Sequence, residues 1–335
     1  VVQQTPKPAI QIFTTKDALD AIDRSREECV GLVADAYRTH ARGDSSNPES
    51  SFLRIPNRPG SRLISLPAYL GGAFEIAGIK WISSFPSNSE VGLPRAAAAL
   101  ILNDIDTGYP YAVLEASTIS ATRTAASAVL AAELFIGSRR VRQVGIIGTG
   151  VIASHVWRFL QDLSWEIPRV CLFDLSPSSA LRFRTFLEGE GAVGVNIASS
   201  AAEVFQGSDL ILITTVASEP HLDDPELLDG NPVVLHLSLR DLGPSMILAA
   251  QNFTDDQDHA LRENTSLDLT QRREGRSDFI AGTIADLLVG KVVADHDKPR
   301  IFSPFGLGVL DLAIAKMVFD KTVAKDAGIF IPDFF

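Results

Sequence analysis

The chain has 335 residues, 46% of them apolar, and a formal net charge of −11 at pH 7. That length suits two domains better than one, with enough apolar residues for ordinary cores. The acidic balance argues against nucleic acid or an anionic membrane surface as a partner and reads as solubility.

The opening stretch, VVQQTPKPAIQ, lacks the features of a signal peptide. With Val in first place, the numbering is expected to start after a trimmed segment. No uninterrupted apolar run reaches the ~18 residues of a membrane span. Residues 15–42 read as one amphipathic helix capped by Thr14 or Thr15, with Leu19, Ile22, Cys29, Leu32, Val33 and Ala36 as its apolar stripe. Residues 43–59 have loop composition, strands are expected over 62–68 and 76–83, and 88–94 is a further loop. Residues 96–102 and 112–115 make a hairpin that turns through 103–108, and 120–135 is an alanine-rich helix.

The stretch from Val141 to Asp174 is the most informative. A short apolar run, VGII, ends in Gly148-Thr149-Gly150, with Ala153 in the third position of a GxGxxG/A turn. Val156, Trp157, Leu160 and Leu163 then follow helical spacing, and a second run, 170–173, ends in Asp174, 26 residues on from Gly148. This is the order of a dinucleotide fold: a tight turn, a close backbone approach to a pyrophosphate, a helix start facing the phosphates, and an acid for the ribose hydroxyls. A carboxylate at 174 repels a 2′-phosphate, so NAD is expected rather than NADP. The plain alternative is a glycine-rich β–α turn without a ligand. Helix over 178–188, buried strands over 210–216 and 233–239, helices over 244–254 and 277–291, and a last strand over 300–302 continue the α/β rhythm. Ser303-Pro304 is expected to cap and start a final helix running to about residue 326. The nucleotide domain is therefore expected over 125–302, inserted in a discontinuous α+β domain of residues 1–124 and 303–335, with the ligand cleft between the two.

Several groups can do chemistry. Lys80 lies inside an apolar strand, GIKWI, and Arg123 in the first turns of an alanine-rich helix. Arg54, Arg62 and Arg95 sit at loop or strand edges. Cations in these places suit substrate carboxylates, Lys80 and Arg123 above all; solvated edges and surface ion pairs are the plain alternative, stronger for Arg54, Arg62 and Arg95. Asp241 follows the strand VVLHLSL at its carboxyl end, where open α/β sheets bind ligands. It can take a proton or orient a water, or it can be a turn residue before Gly243-Pro244. His236, in the same strand, reads as a core or cofactor-lining residue. The six histidines show no metal-ligand spacing, so no metal is expected. There is no GxSxG elbow and no P-loop lysine, which leaves cofactor-centred chemistry as the default. Cys29 and Cys171 form no disulfide or metal pattern, and a reducing cytoplasm is expected.

These segments also resemble a known family. GIKW (78–81), LNDIDTGYP (102–110), LEASTISATRTAA (114–126), VGIIGTGVIA (144–153), SPFGLGVLD (303–311), Arg54, Asp174 and Asp241 are similar to motifs of the ornithine cyclodeaminase/mu-crystallin family over nearly the whole chain. The resemblance implies an NAD(P) domain inserted in a dimer-forming substrate domain, hence a homodimer acting on a small amino-acid substrate. It implies Arg54, Lys80 and Arg123 as substrate ligands and Asp241 as catalytic acid/base. Should Asp241 not fill that role, Lys80 with a bound water is the next candidate. It also implies cofactor contacts from Val151, Ile152, Asp174, Thr214, Thr215, Val216, Ala217, Leu237, Ser238 and Phe305. Within the family, Trp81, RAAAALILND with Arg95, and LEASTISATRTAA resemble members that oxidatively cleave N-(2-amino-2-carboxyethyl)-L-glutamate to 2,3-diaminopropionate and 2-oxoglutarate for siderophore or antibiotic assembly. The family's cyclodeaminases carry a glutamate in the strand leading to Pro67, whereas RLISLPAY (62–69) has no carboxylate. Arg62 suits a carboxylate-rich substrate instead. A cyclodeaminase, an alanine-type dehydrogenase, a ketimine reductase, or a nicotinamide-binding protein without turnover are the alternatives.

Overall fold

The computed structural model describes residues 8–335 apart from Pro59. Most of the N-terminal stretch without signal features, and Pro59 at the end of the predicted loop, lie outside the described residues. The chain divides into two compact units. One combines the described residues up to Arg123 with Leu307–Phe335, and the other is Thr124–Gly306.

The first unit opens with β1 (Ile10–Phe13), α1 (Thr15–Ile22) and α2 (Arg26–Ala41). The single helix expected over 15–42 is thus broken. Thr14 caps α1 through a capping box with Asp17, and Arg24 takes a left-handed φ of 63°, which stops α1 before α2 begins. Next come β2 (Ser45–Ser46), β3 (Ser51–Arg54), β4 (Arg62–Leu70), β5 (Ile76–Ser84), β6 (Ala96–Asn103), β7 (Pro110–Glu115) and α3 (Ser117–Ile136). β2 and β3 occupy a stretch whose polar composition predicts loop, and their pairing with β4 decides the matter. The β6–β7 hairpin forms as expected. By length and composition α3 is apolar enough to cross a bilayer, yet Ala121, Ala125, Ala126, Ala128, Val129 and Phe135 are buried within the protein.

The second unit runs β8 (Val144–Ile147), α4 (Val151–Asp162), β9 (Val170–Phe173), α5 (Pro177–Gly189), β10 (Val195–Ile197), α6 (Ala201–Phe205) and β11 (Leu210–Ile213). It continues with β12 (Val233–His236), α7 (Pro244–Leu248), β13 (Gln251–Thr254), α8 (Gln257–Ala260), α9 (Ser266–Glu274), β14 (Ile280–Thr283), α10 (Ile284–Leu288) and β15 (Arg300–Phe302). α11 (Gly308–Val323) and β16 (Ile329–Ile331) then complete the first unit. Three expectations need correction. The helix expected over 244–254 stops at Leu248 and gives way to β13, because the buried Asn252 amide bonds the carbonyls of Ile247, Ala250 and Phe279 and reverses the chain. The helix expected over 277–291 is β14 followed by α10, which Thr283 caps. The last helix starts at Gly308, not Pro304. Ser303 spends its hydroxyl on His236 and its N–H on Phe253, and the N–H groups of Phe305 and Gly306 go to Asp255.

The second unit's sheet is parallel throughout, in the order β10-β9-β8-β11-β12-β15-β13-β14. Strand order reverses between β8 and β11, the switch point at which doubly wound sheets open a ligand crevice. Val144, Ile146, Leu210, Leu212, Val234 and Leu235 are buried in it, as parallel strands covered on both faces require. The first unit's sheet has the order β16-β1-β7-β6-β5-β4-β2, with β3 also on β4. α11 packs against β4, β5, α1 and α2 of its own unit, and Leu310, Leu312, Ala313, Ile314 and Val318 bury its surface.

Candidate functional sites

The glycine turn stands at the β8–β11 switch. Gly148 has φ 85°, and a Cβ there would lie 2.9 Å from the backbone of Thr214 and Thr215. Only glycine satisfies both the φ and the contact. The Thr214 hydroxyl closes the turn by donating to the Gly148 carbonyl at 2.6 Å. Gly150 meets nothing within 4 Å and is the N-cap of α4 without any side-chain cap. The first turn of α4 thus starts at an open position with no side-chain cap among the described residues, a cradle that suits a pyrophosphate. Asp174 ends β9, and its carboxylate accepts from the Thr149 N–H at 2.8 Å, the Thr149 hydroxyl at 2.7 Å and the Ser176 N–H at 2.8 Å. Val151, Leu175 and Val216 project from the same sheet end with exposures of 65%, 92% and 73%. Apolar side chains left open beside a phosphate cradle suit the flat rings of a dinucleotide. Ile152 and Leu237 are half-buried, and Leu237 is tied by its N–H to the Ile213 carbonyl. Phe305 is fixed by its bond to Asp255 and lies against the His259 ring.

Asp241 lies at the carboxyl end of β12, after a turn in which Leu239 adopts φ 75°. Its carboxylate is wholly buried. The hydroxyls of Thr215 and Ser238 donate to it, His221 Nε2 is 3.0 Å from Oδ1, and His236 Nε2 is 3.3 Å from Oδ2. Burial pushes this carboxyl up, but bonds from His236, Ser238 and Thr215 together with the histidine's charge outweigh it and hold the carboxyl well below the usual carboxylate range. Hydroxyl groups and an imidazole, not a lysine or arginine, supply that stabilisation. Thr215 also accepts the Ala217 N–H, which shapes the loop after β11. Sequence reasoning missed His221. Its signal, a histidine beside Pro220 in a polar loop, is weak.

In the first unit, strand register puts Arg54, Arg62 and Lys80 on one face. Arg54 pairs directly with Arg62, Arg62 with Ser84, and Lys80 lies four residues before Ser84. Phe52, between the two arginines, has the Arg54 and Arg62 guanidinium carbons 5.3 and 6.0 Å from its ring centroid. Lys80 is no surface cation. It donates to Asp311 of α11 at 2.6 Å and to Ser120 at 3.0 Å, and Arg123 Nε reaches the other Asp311 oxygen at 3.3 Å. Burial, the largest influence, pushes the Lys80 ammonium down to about 8 against the attraction of Asp311. Asp311 is the second residue that sequence reasoning missed, although an acid inside the apolar run GVLDLAIA signals a buried partner. Arg95 is exposed in the turn before β6, outside this face.

The chain is 26% identical over 308 residues to N-((2S)-2-amino-2-carboxyethyl)-L-glutamate dehydrogenase of Staphylococcus aureus (strain NCTC 8325 / PS 47), covering 89% of this chain and 91% of that one. It is 26% identical over 314 residues to alanine dehydrogenase of Archaeoglobus fulgidus, covering 91% and 93%. Its fold matches that of Thermococcus litoralis Delta(1)-pyrroline-2-carboxylate reductase, solved with NADH and L-proline, with a TM-score of 0.87, 22% identity, and 96% and 99% of the two chains covered. A family model spans residues 12–326, from β1 through both units to the end of α11, and on that match the chain belongs to the ornithine cyclodeaminase/mu-crystallin family.

Proposed function

We propose that the protein oxidatively cleaves N-(2-amino-2-carboxyethyl)-L-glutamate, with water and NAD, to 2-oxoglutarate and 2,3-diaminopropionate. It is an NAD-dependent oxidoreductase acting on an amino-acid CH–NH bond. The observation that carries the substrate reading is the run of cations in the first unit. Arg54 and Arg62 stand directly opposite each other on β3 and β4, which concentrates positive charge on that face. Arg62 Nε is buried without a hydrogen-bond partner among the described residues. Lys80 and Arg123 share the single Asp311 carboxylate and so add one net positive charge. A substrate with three carboxylates matches that supply better than alanine does.

In the dinucleotide, Gly148, Thr149, Gly150, Val151 and Ile152 would hold the pyrophosphate and Asp174 the ribose hydroxyls. Thr214 to Ala217, Leu237, Ser238 and Phe305 would line the rest. NAD, when bound, supplies the acceptor for the hydride from the glutamate Cα. Arg54, Arg62, Lys80 and Arg123 orient the carboxylates, with Arg95 a further candidate at the edge. Each charge-assisted contact contributes roughly 1.5–3 kcal/mol. Proton handling falls to the Asp241 network, in which a fixed negative charge stabilises a positive charge as the amine gives up its proton.

A second reading, alanine-type dehydrogenation, has a relative of the same 26% identity. Cyclodeamination of a diamine is less suited, since β4 offers no acid for a distal ammonium. Mixing the protein with NAD and each substrate separates these readings. The conjugate should give NADH with stoichiometric 2-oxoglutarate. NADH from L-alanine alone, or proline from ornithine without net NADH, would replace it. We further propose a homodimer in a reducing cytoplasm. A solved relative is described as a dimer with bound NAD, and Cys29 and Cys171 are buried and unpaired. Sedimentation should give twice the chain mass.

A further inference from the structure

β11 and β12 end side by side, and the loops leaving them are stitched together. The Asp241 carbonyl accepts from the N–H groups of His221 and Leu222, both at 2.9 Å, and Leu222 pairs with Leu242 in a parallel bridge. Across this stitch the His221 ring meets the Asp241 carboxylate, Nε2 to Oδ1 at 3.0 Å. The partners differ sharply in access. The Asp241 side chain has no exposure, while 42% of the His221 side chain is open. Both Asp241 oxygens are already engaged, by Thr215 and His221 on one and by Ser238 and His236 on the other. A carboxylate so satisfied must break a bond to accept a proton, and it is held far below neutrality. The imidazole is placed differently. With Nε2–H given to Asp241, its Nδ1 lone pair has no partner among the described residues, and it lies at the carboxyl end of the sheet, where ligands bind.

We infer that His221 carries the substrate's proton and that Asp241 is its positioning residue, fixing the Nε2–H tautomer and stabilising the imidazolium. This rests on the dehydrogenase reading above. The substrate nitrogen enters as a secondary ammonium. Nδ1 of His221 takes one N–H proton, and the freed lone pair forms the C=N bond as the Cα–H pair leaves as hydride. Water adds its oxygen to the imine carbon and sheds one proton to solvent. The His221 proton returns to nitrogen, the C–N bond breaks as the carbonyl forms, and the hydroxyl proton passes to the released amine.

The first test needs no turnover. Ring-nitrogen NMR of the full chain without cofactor should show His221 as the Nε2–H tautomer, and Asp241→Asn should abolish that preference. An Nδ1–H tautomer in the unmodified protein overturns the proposal. In kinetics, His221→Asn should lower kcat about 10²–10⁴-fold with NAD affinity, read by fluorescence titration, within about twofold. Added imidazole should restore part of the rate of His221→Ala, which a purely structural role does not allow. Asp241→Asn should lower kcat more than it alters KM. Wild-type kcat in both His221 variants sinks the assignment. If the unmodified protein makes no NADH from the conjugate, the substrate reading fails, and the tautomer measurement still decides for or against the dyad.

Discussion

The Lys80 ammonium lies 2.6 Å from the Asp311 carboxylate, with only 2% and 1% of the two side chains exposed. The same carboxylate takes Arg123 at 3.3 Å, so two cations share a single buried acid. Removing it strands both charges in a low-dielectric interior. Breaking a buried pair from one side costs about 3–5 kcal/mol. We expect Asp311→Asn to lose that much stability in urea unfolding. Lys80→Met should lose less, because Asp311 keeps Arg123. Equal stability of Asp311→Asn and the unmodified protein would contradict the pairing.

Lys80 also sets a pH dependence. Burial brings its folded-state value down to about 8, from 10.5 for an ordinary lysine. Between those values the unfolded chain binds a proton that the folded chain has released. The contribution of this group to stability therefore rises with pH from about 8 to 10.5 and is level below that window. The stability difference between the unmodified protein and Lys80→Met should shift in favour of the former across this range. A flat or falling difference would show that burial does not govern the group.

Two glycines of one turn should respond in opposite ways. At Gly148, alanine combines a left-handed φ with a 2.9 Å clash against backbone. Strain of this kind costs about 1–3 kcal/mol, so Gly148→Ala should lower Tm and NAD affinity together. At Gly150 the space is open and φ is −87°. Gly150→Ala should leave Tm within a degree or two and weaken NAD, because the added methyl occupies the phosphate cradle. A large Tm loss at Gly150 would mean that the turn, not the ligand, needs that glycine.

Asp174 is held by three hydrogen bonds at the end of β9. An orientated carboxylate accepts from ribose hydroxyls and repels a 2′-phosphate. The ratio of kcat/KM for NAD over NADP should drop at least about tenfold in Asp174→Ser, the worth of one charge-assisted bond. An unmodified protein that prefers NADP would remove Asp174 from this role.

Arg54 and Arg62 form the pair most specific to an anionic substrate. Arg62→Ala should raise KM for the tricarboxylate conjugate by about tenfold or more, the loss of one charged contact, and change KM for L-alanine far less. Folding should be spared, because Arg62 Nε has no hydrogen-bond partner among the described residues. Equal effects on both substrates would assign Arg62 to the fold.

The dinucleotide unit was legible in the residues alone because its signal is local. Strand, glycine turn, helix, strand and Asp174 follow one another in about thirty residues, and each element's period is set by its own backbone geometry. The lysine in GIKWI and the acid after VVLHLSL stood out for the same reason, as charges placed against an apolar run. Short elements did not show. β13 and β14 read as helix because their side chains fit either period, and only pairing with β15 and with each other makes them strands. The partners of the charged groups were settled by tertiary structure. Lys80 and Asp311 are 231 positions apart, and His221 reaches Asp241 only because β11 and β12 end side by side. Such contacts leave no periodic trace in a chain, since they depend on which elements become neighbours. The residues themselves determine that a cation or a carboxylate must find a partner on burial, and the fold alone decides which one.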